Sequence, residues 1–367
     1  MNTVLLPPRT RNSALELLRI VSVWMIIGCH FATYGGFSFE PTELSASRFL
    51  YGLWETGGNL GTDIFVLISG YFLIENRSLS VKREKAFLLW GQVFFYSLLL
   101  FGVSFWLGTG EWSIKNVIRT LFPVTFSRWW FASVYFVLYL LHPYLNRFLH
   151  TLTRAEYRRF LTVTLLLFCL VPTLSASRFV GSELIEFFLL YSLAAYIKLH
   201  EAERKRTPAR CFLFGVLFWA ALYATYVALM LIGTKISALS ALSLWFYGRN
   251  SVLTLGAALC FFCAASASKP FENRLVNTLS SAVFGVYLIH EHPSVRVFLW
   301  EKVFCGASYA DSAFLPLLWL GTVFSVYIVC TGIELLRKTA IEKPLLRILK
   351  TISLKSKSQR NKTIREK

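Results

Sequence analysis

Stretches apolar enough to cross a bilayer alternate with short polar connections along almost the whole chain. Runs of about 16 to 24 mainly apolar residues recur from Ala14 onward, and a helix of that length traverses a hydrocarbon core of about 30 Å. Ten spans are expected, near residues 14–33, 57–75, 86–107, 129–147, 160–175, 184–200, 211–232, 251–268, 278–296 and 313–336. The short alternating segments of a membrane barrel do not match this pattern. The prediction is an all-α fold, a polytopic membrane bundle of about ten transmembrane helices.

Composition and charge sharpen that picture. Hydrophobic residues make up 55% of the 367 and charged residues 16%, whereas a soluble domain carries about a quarter charged. The formal net charge of +18 would suggest nucleic acid in a soluble protein, but its distribution follows the membrane. With the N-terminus inside, the inner connections and tails hold 28 Lys and Arg, the outer ones hold 9, and Arg19 lies within a span. A bias of about three to one is the positive-inside pattern. It predicts an N-in/C-in protein of the cell membrane, in contact with lipid and without a nucleic-acid partner. Residues 1–13 form a cytoplasmic tail, 14–345 the transmembrane domain, and 346–367 a basic tail whose Ser353–Lys367 stretch is expected to be disordered. The first span lacks the cleavage pattern of a signal peptide. Cys260 and Cys263 form a CxxC in an apolar helix, and packing is their expected role.

Ionisable residues inside spans are the candidates for chemistry, because each costs several kcal/mol unless a bundle interior or watery cavity receives it. Arg19 and His30 stand eleven residues apart in the first span, about 20° from three full turns and about 16 Å along the axis, so they share a face. The second span carries Asp63 near its outer end and Ser69-Gly70 near its middle. Asp63 suits a functional carboxylate or a cap, and Ser69-Gly70 suits close helix packing. Lys82, Arg83 and Lys85 follow on the inner side, as topology charge or as a docking patch for anionic phosphates. Trp129 and Trp130 suit an interfacial belt, or stacking on a sugar. His142-Pro143 should break or kink the fourth span. The fifth to eighth spans look like scaffold, with Glu183 and Glu186 at their outer mouth.

The ninth span holds His290, Glu291 and His292, with Arg296 just beyond. Two histidines two residues apart cannot share a helix face. A zinc pair on a helix needs an i,i+4 spacing, so no metal is expected. His290 is the one expected to face inward. His30, Asp63, His290 and Glu291 then share a depth just outside the midplane, while Arg19, Lys82, Arg83 and Lys85 gather toward the inside. An imidazole beside a carboxylate can take a proton from a weak nucleophile.

The Arg-x10-His spacing of Arg19 and His30, the IFVLISGYF of the second span, WWFASVYFVLYLLHPYLN and FGVYLIHEHP together resemble the membrane-bound acyltransferase-3 family. More narrowly they resemble its bacterial members that O-acetylate surface or exopolysaccharides. The likeness covers about residues 12–345. It implies about ten spans and the use of cytoplasmic acyl-CoA, usually acetyl-CoA, to acylate a glycan hydroxyl at the outer side. By position it implies His30 as catalytic histidine and Arg19 as its partner. Ser69 and Gly70 fall on the family's Phe-Phe-x-x-Ser-Gly element, which here runs Ile64-Phe65-Val66-Leu67-Ile68-Ser69-Gly70. Residue reading and resemblance together give a catalytic set of His30, Arg19, Asp63, His290 and Glu291, and a donor-binding set of Arg19, Ser69, Gly70, Lys82, Arg83 and Lys85. Expected partners are acyl-CoA, a glycan or lipid-linked saccharide, membrane lipid and polysaccharide-assembly proteins. Direct transfer and prior acylation of His30 are both open at this level. The competing classes are a flippase or transporter of a lipid-linked glycan, and a membrane sensor or scaffold.

Overall fold

A computed structural model describes residues 12–175, 177, 179, 181–201 and 205–347. Among these residues the regular structure is helical throughout. The elements are α1 (Ser13–Tyr34), α2 (Ala46–Leu73), α3 (Arg83–Trp106), α4 (Ile114–Leu121), α5 (Trp130–Thr151) and α6 (Arg154–Leu165), which continues through a π-turn at Leu166–Leu170 into α7 (Val171–Ser175). They continue as α8 (Glu183–His200), α9 (Pro208–Gly233), α10 (Ser237–Ala241), α11 (Val252–Ala267), α12 (Arg274–Ser280), α13 (Val283–His290), α14 (Pro293–Val297) and α15 (Leu315–Arg337). Helix starts follow from sequence: Asn12, Ser45, Ser113, Ser182, Ser251 and Asn273 each accept a backbone N–H at an N-cap. Thr153 and Glu156 close a full capping box on α6.

Among the described residues six segments are long and apolar enough to cross a membrane: Ser13–Tyr34, Arg83–Trp106, Arg154–Ser175, Pro208–Gly233, Ser237–Ala267 and Leu315–Arg347. Helices α2, α5 and α8, with 28, 22 and 18 residues, are also of span length but carry more polar side chains. The expected ninth span, 278–296, is not one helix. It divides into the end of α12, α13, and α14. The first division falls at Ser281, whose carbonyl accepts from Lys338. The second falls at His292, whose backbone is extended (φ −61°, ψ 130°) because the ring of Pro293 disfavours helical geometry in the residue before it. The N-terminal lead-in 1–11 and the tail from 348, including Ser353–Lys367, lie outside the described residues.

Helix α5 departs from expectation in the opposite sense, running unbroken through Pro143. A proline at 143 has no N–H for the carbonyl of Tyr139, four residues back. The imidazole of His142 supplies the missing donor: Nδ1 donates to the Tyr139 carbonyl at 2.5 Å. Its Nε2 then accepts from Asn76 at 3.3 Å. The residue next to the proline repairs the defect that the proline makes.

Bare glycine faces let the central helices approach closely. A Cβ at Gly57 of α2 would stand 2.6 Å from the Met25 carbonyl oxygen of α1, and one at Gly61 would lie closer still to that of Ser22. On the other side of α1, Gly28 takes the indole of Trp319, whose Nε1 donates to the Gly28 carbonyl at 3.1 Å. Trp319 in turn stacks on Trp54 of α2, 5.3 Å between centroids. Helix α1 is thereby clamped between α2 and α15. At the far end of α15, fully buried Glu334 pairs with Arg337 at 2.9 Å and accepts from Tyr96 (2.7 Å) and Gln92 (3.1 Å) of α3. Gly285 of α13 leaves room for that carboxylate.

Two outcomes are expected. Gly57→Val should cost about 1–3 kcal/mol or more by overpacking the α1–α2 seam, measured as thermal unfolding in detergent micelles. His142→Ala should cost about 1–2 kcal/mol by stranding the Tyr139 carbonyl. In a Pro143→Ala background, where a backbone N–H is restored, that penalty should shrink. An undiminished penalty would show that His142 acts elsewhere.

Candidate active site

The site forms where the C-terminal ends of two helices, α1 and α13, meet. His30 lies in the last turn of α1, His290 is the last residue of α13, and Glu291 caps that helix. Consecutive residues inside a helix point about 100° apart. Glu291 still donates its N–H to the Tyr287 carbonyl at 3.1 Å, and its long side chain spans that difference, so both His290 and Glu291 reach the same ring. His30 Nδ1 is 3.0 Å from His290 Nε2 and 3.1 Å from Glu291 Oε2. The protonation pattern follows from one backbone contact. His290 Nδ1 lies 2.6 Å from the Val286 carbonyl, which can only accept. Nδ1 of His290 therefore carries the hydrogen, and in a neutral ring Nε2 carries the lone pair. His30 Nδ1 must then donate to it, which leaves His30 Nε2 as the bare nitrogen.

Glu291 Oε2 accepts no hydrogen bond, so it acts on His30 through charge. Its other oxygen is held by Arg296, at 3.0 Å, and lies 3.5 Å from the Tyr34 hydroxyl. Arg296 also donates to that hydroxyl at 3.0 Å and covers the Tyr34 ring at 4.3 Å. The neighbouring His292 turns away from His30. Its Nε2 accepts from Arg128 at 3.2 and 2.8 Å, and Arg128 also donates to Thr120 at 3.0 Å. Two arginines thus pin the break between α13 and α14.

His30 lines a cavity of about 550 Å³. The wall beside it is Glu55, whose carboxylate accepts from Thr33 at 2.6 Å and from the Cys29 thiol at 3.5 Å, one residue before and three after His30. The far wall comes from α8 and the 244–250 turn. There Arg249 donates to Glu186 at 2.8 Å and to Asn59 at 3.4 Å, lies 4.0 Å from Glu183, and stacks on Trp130 at 4.4 Å. The segments expected to be scaffold therefore build the far wall of the cavity. Arg249, Glu55 and Tyr34 were not singled out by sequence. Glu55 opens a polar series, Thr56, Asn59, Thr62 and Asp63, along an otherwise membrane-length helix, which is the signal that could have marked it.

The structure brings together His30, His290 and Glu291, and separates the remaining expected residues from them. Asp63 is fully buried, but both its oxygens lack a hydrogen-bond partner among the described residues. It does not contact His30; the charges of Arg249 and Glu186 act on it instead. Arg19 does not line the cavity. It donates to Glu16 at 2.9 Å, and its guanidinium lies 5.5 Å from the ring of Phe65, a cavity residue. Ser69 bonds back to the Phe65 carbonyl at 2.9 Å and accepts from Tyr135 at 3.4 Å. Gly70 packs α2 on α8, with a Cβ placed there 2.9 Å from Tyr191 Cα. Lys82, Arg83 and Lys85 are exposed at the start of α3.

His30, His290 and Glu291 are also the group of three metal-type ligands found among the described residues. Their 3.0 and 3.1 Å separations are hydrogen-bond distances. A tetrahedral zinc with 2.0–2.1 Å bonds would hold its ligand atoms about 3.3 Å apart. The Val286 contact on the back of His290 would serve either arrangement.

A family model described as an acyltransferase domain, Acyl_transf_3, matches residues 12–334. The chain belongs to the acyltransferase 3 family. No curated protein and no solved structure matches it. Family membership and the apolar helices together make the chain a membrane acyltransferase, and the match encloses all three residues of the His30 cluster. For an acyltransferase 3 protein the arrangement offers a base with one free nitrogen and a carboxylate ready to stabilise its charged form.

Glu291→Gln should lower acyl transfer by about 10²-fold or more while leaving the amount of folded protein in the membrane unchanged. A radiolabelled acyl-donor assay on membranes checks this. Full activity in that variant would remove Glu291 from the reaction.

Proposed function

We propose that this acyltransferase moves an acyl group, acetyl by default, from acyl-CoA to a hydroxyl of a cell-surface or exopolysaccharide sugar. His30 is its general base. The observation that carries this reading is the fixed hydrogen-bond order Val286–His290–His30, which leaves Nε2 of His30 for the cavity. The saccharide hydroxyl gives its proton to Nε2 as its oxygen attacks the thioester carbonyl. Glu291, 3.1 Å from Nδ1, stabilises the imidazolium that forms. The carbon–sulfur bond then breaks, and the thiolate of CoA recovers the proton from His30.

The acyl donor approaches from the opposite end of the bundle, which we assign to the cytoplasm along with both termini, in the plasma membrane. Several cations at that end support this assignment. Lys82, Arg83 and Lys85 are exposed, and Arg77, Arg147 and His150 line a second concavity nearby. Phosphates of acyl-CoA would pair with such groups. From Thr62, beside the cavity, to the end of α2 at Leu73 is about 17 Å along the helix axis, a distance that an extended pantetheine arm spans. Arg19 lies along that stretch. Polysaccharide-assembly proteins would deliver the acceptor, free or lipid-linked.

His30→Ala should abolish transfer of labelled acetyl from acetyl-CoA to glycan, with membrane insertion intact. His290→Ala should leave a residual rate, because Glu291 still flanks the ring. Wild-type transfer by His30→Ala would remove the base from the mechanism.

A further inference from the structure

We infer that the cavity selects an uncharged or amino-bearing saccharide and turns away acidic ones, with Glu183, Glu186 and Arg249 as its acceptor-recognising wall. The inference rests on the acceptor binding beside His30. Among the described residues three carboxylates line the cavity, Glu55, Glu183 and Glu186, against the single guanidinium of Arg249. That guanidinium is already engaged. Its Nε donates to Glu186, a second nitrogen reaches Asn59, a third lies 4.0 Å from Glu183, and Trp130 covers its face. An incoming carboxylate or phosphate would find no unengaged guanidinium or ammonium among the described cavity residues, and would meet like charge in a recess where low dielectric strengthens repulsion.

The same wall suits hydroxyl and ammonium donors. Glu183 is its most open acid, 45% exposed, and carboxylate oxygens accept from sugar hydroxyls or from a protonated amine. Trp130 and Trp245 supply aromatic area.

The test is a tryptophan-fluorescence titration of the purified full chain in micelles. Three disaccharides are used, alike except for one substituent: hydroxyl, amine or carboxylate. The neutral and amino sugars should bind at least about tenfold more tightly than the acidic one. Glu183→Lys should narrow that gap to about threefold or less, and the near-isosteric Glu183→Gln should narrow it in part. Equal or tighter binding of the acidic sugar, or no binding of any sugar, would overturn the inference. His30→Ala should keep the same ranking while losing transfer. If the ranking holds but the wild type transfers no acyl group, the proposed function fails and the selectivity stands. If transfer occurs but prefers acidic acceptors, the reverse is true.

Discussion

One hydrogen position governs the chemistry of this protein. The Val286 carbonyl can only accept, so the nearer nitrogen of His290 must donate to it, and every later assignment in the chain of contacts follows. A backbone carbonyl in a helix is an unusually dependable reference, because it does not rotate and does not titrate. Through it, the geometry of α13 reaches across to α1 and determines which nitrogen of His30 is available. The carboxylate beside that ring is kept from collapsing onto the hydrogen-bond axis by Arg296 and Tyr34, which hold its other oxygen. Charge stabilisation and proton acceptance are thus assigned to different partners of one imidazole.

That arrangement sits at a helix end. Glu291 keeps its N–H on the Tyr287 carbonyl, and its side chain bridges the roughly 100° between it and His290 to meet the same ring. The proline at 293 ends the helical register, and Arg128 fixes the chain beyond it. The glycines of α2 and the indole of Trp319 set the position of α1 on its other sides, so His30 is placed by close packing as well as by its polar partners.

Much of this was legible in the sequence. Charges within apolar runs flag His30, His290 and Glu291, which the structure joins, whereas the 3.6-residue period that set Arg19 on the His30 face did not bring it to the cavity. The helical class follows from apolar run length alone. Other features depend on partners distant in the chain. Asp63 looked like a companion for His30 because it shares its depth, but depth does not specify azimuth around the bundle, and the carboxylate faces other charges. Ser69 and Gly70 proved to be contact residues of α2. Arg249 sits in an irregular turn with no periodicity to interpret, so its role at the cavity wall appears only when α8 is packed against it. At Pro143 the helix does not break, because the side chain of the preceding histidine supplies the donor that the proline lacks.

Glu16–Arg19 on α1 and Glu334–Arg337 on α15 are both pairs of opposite charges one turn apart on the same helix. Each can neutralise itself as soon as its own helix forms, before any neighbour arrives. A newly made segment carrying such a pair presents the translocation machinery with a dipole instead of two bare ions, which lowers the barrier to entering lipid. Ser280 then adds its hydrogen bond to Glu16 when α12 docks on α1, and Tyr96 and Gln92 of the earlier α3 add theirs to Glu334 when α15 docks. The order of synthesis and the order of charge compensation are in this way kept independent, and the first and last long helices can each wait in the bilayer for the rest of the bundle.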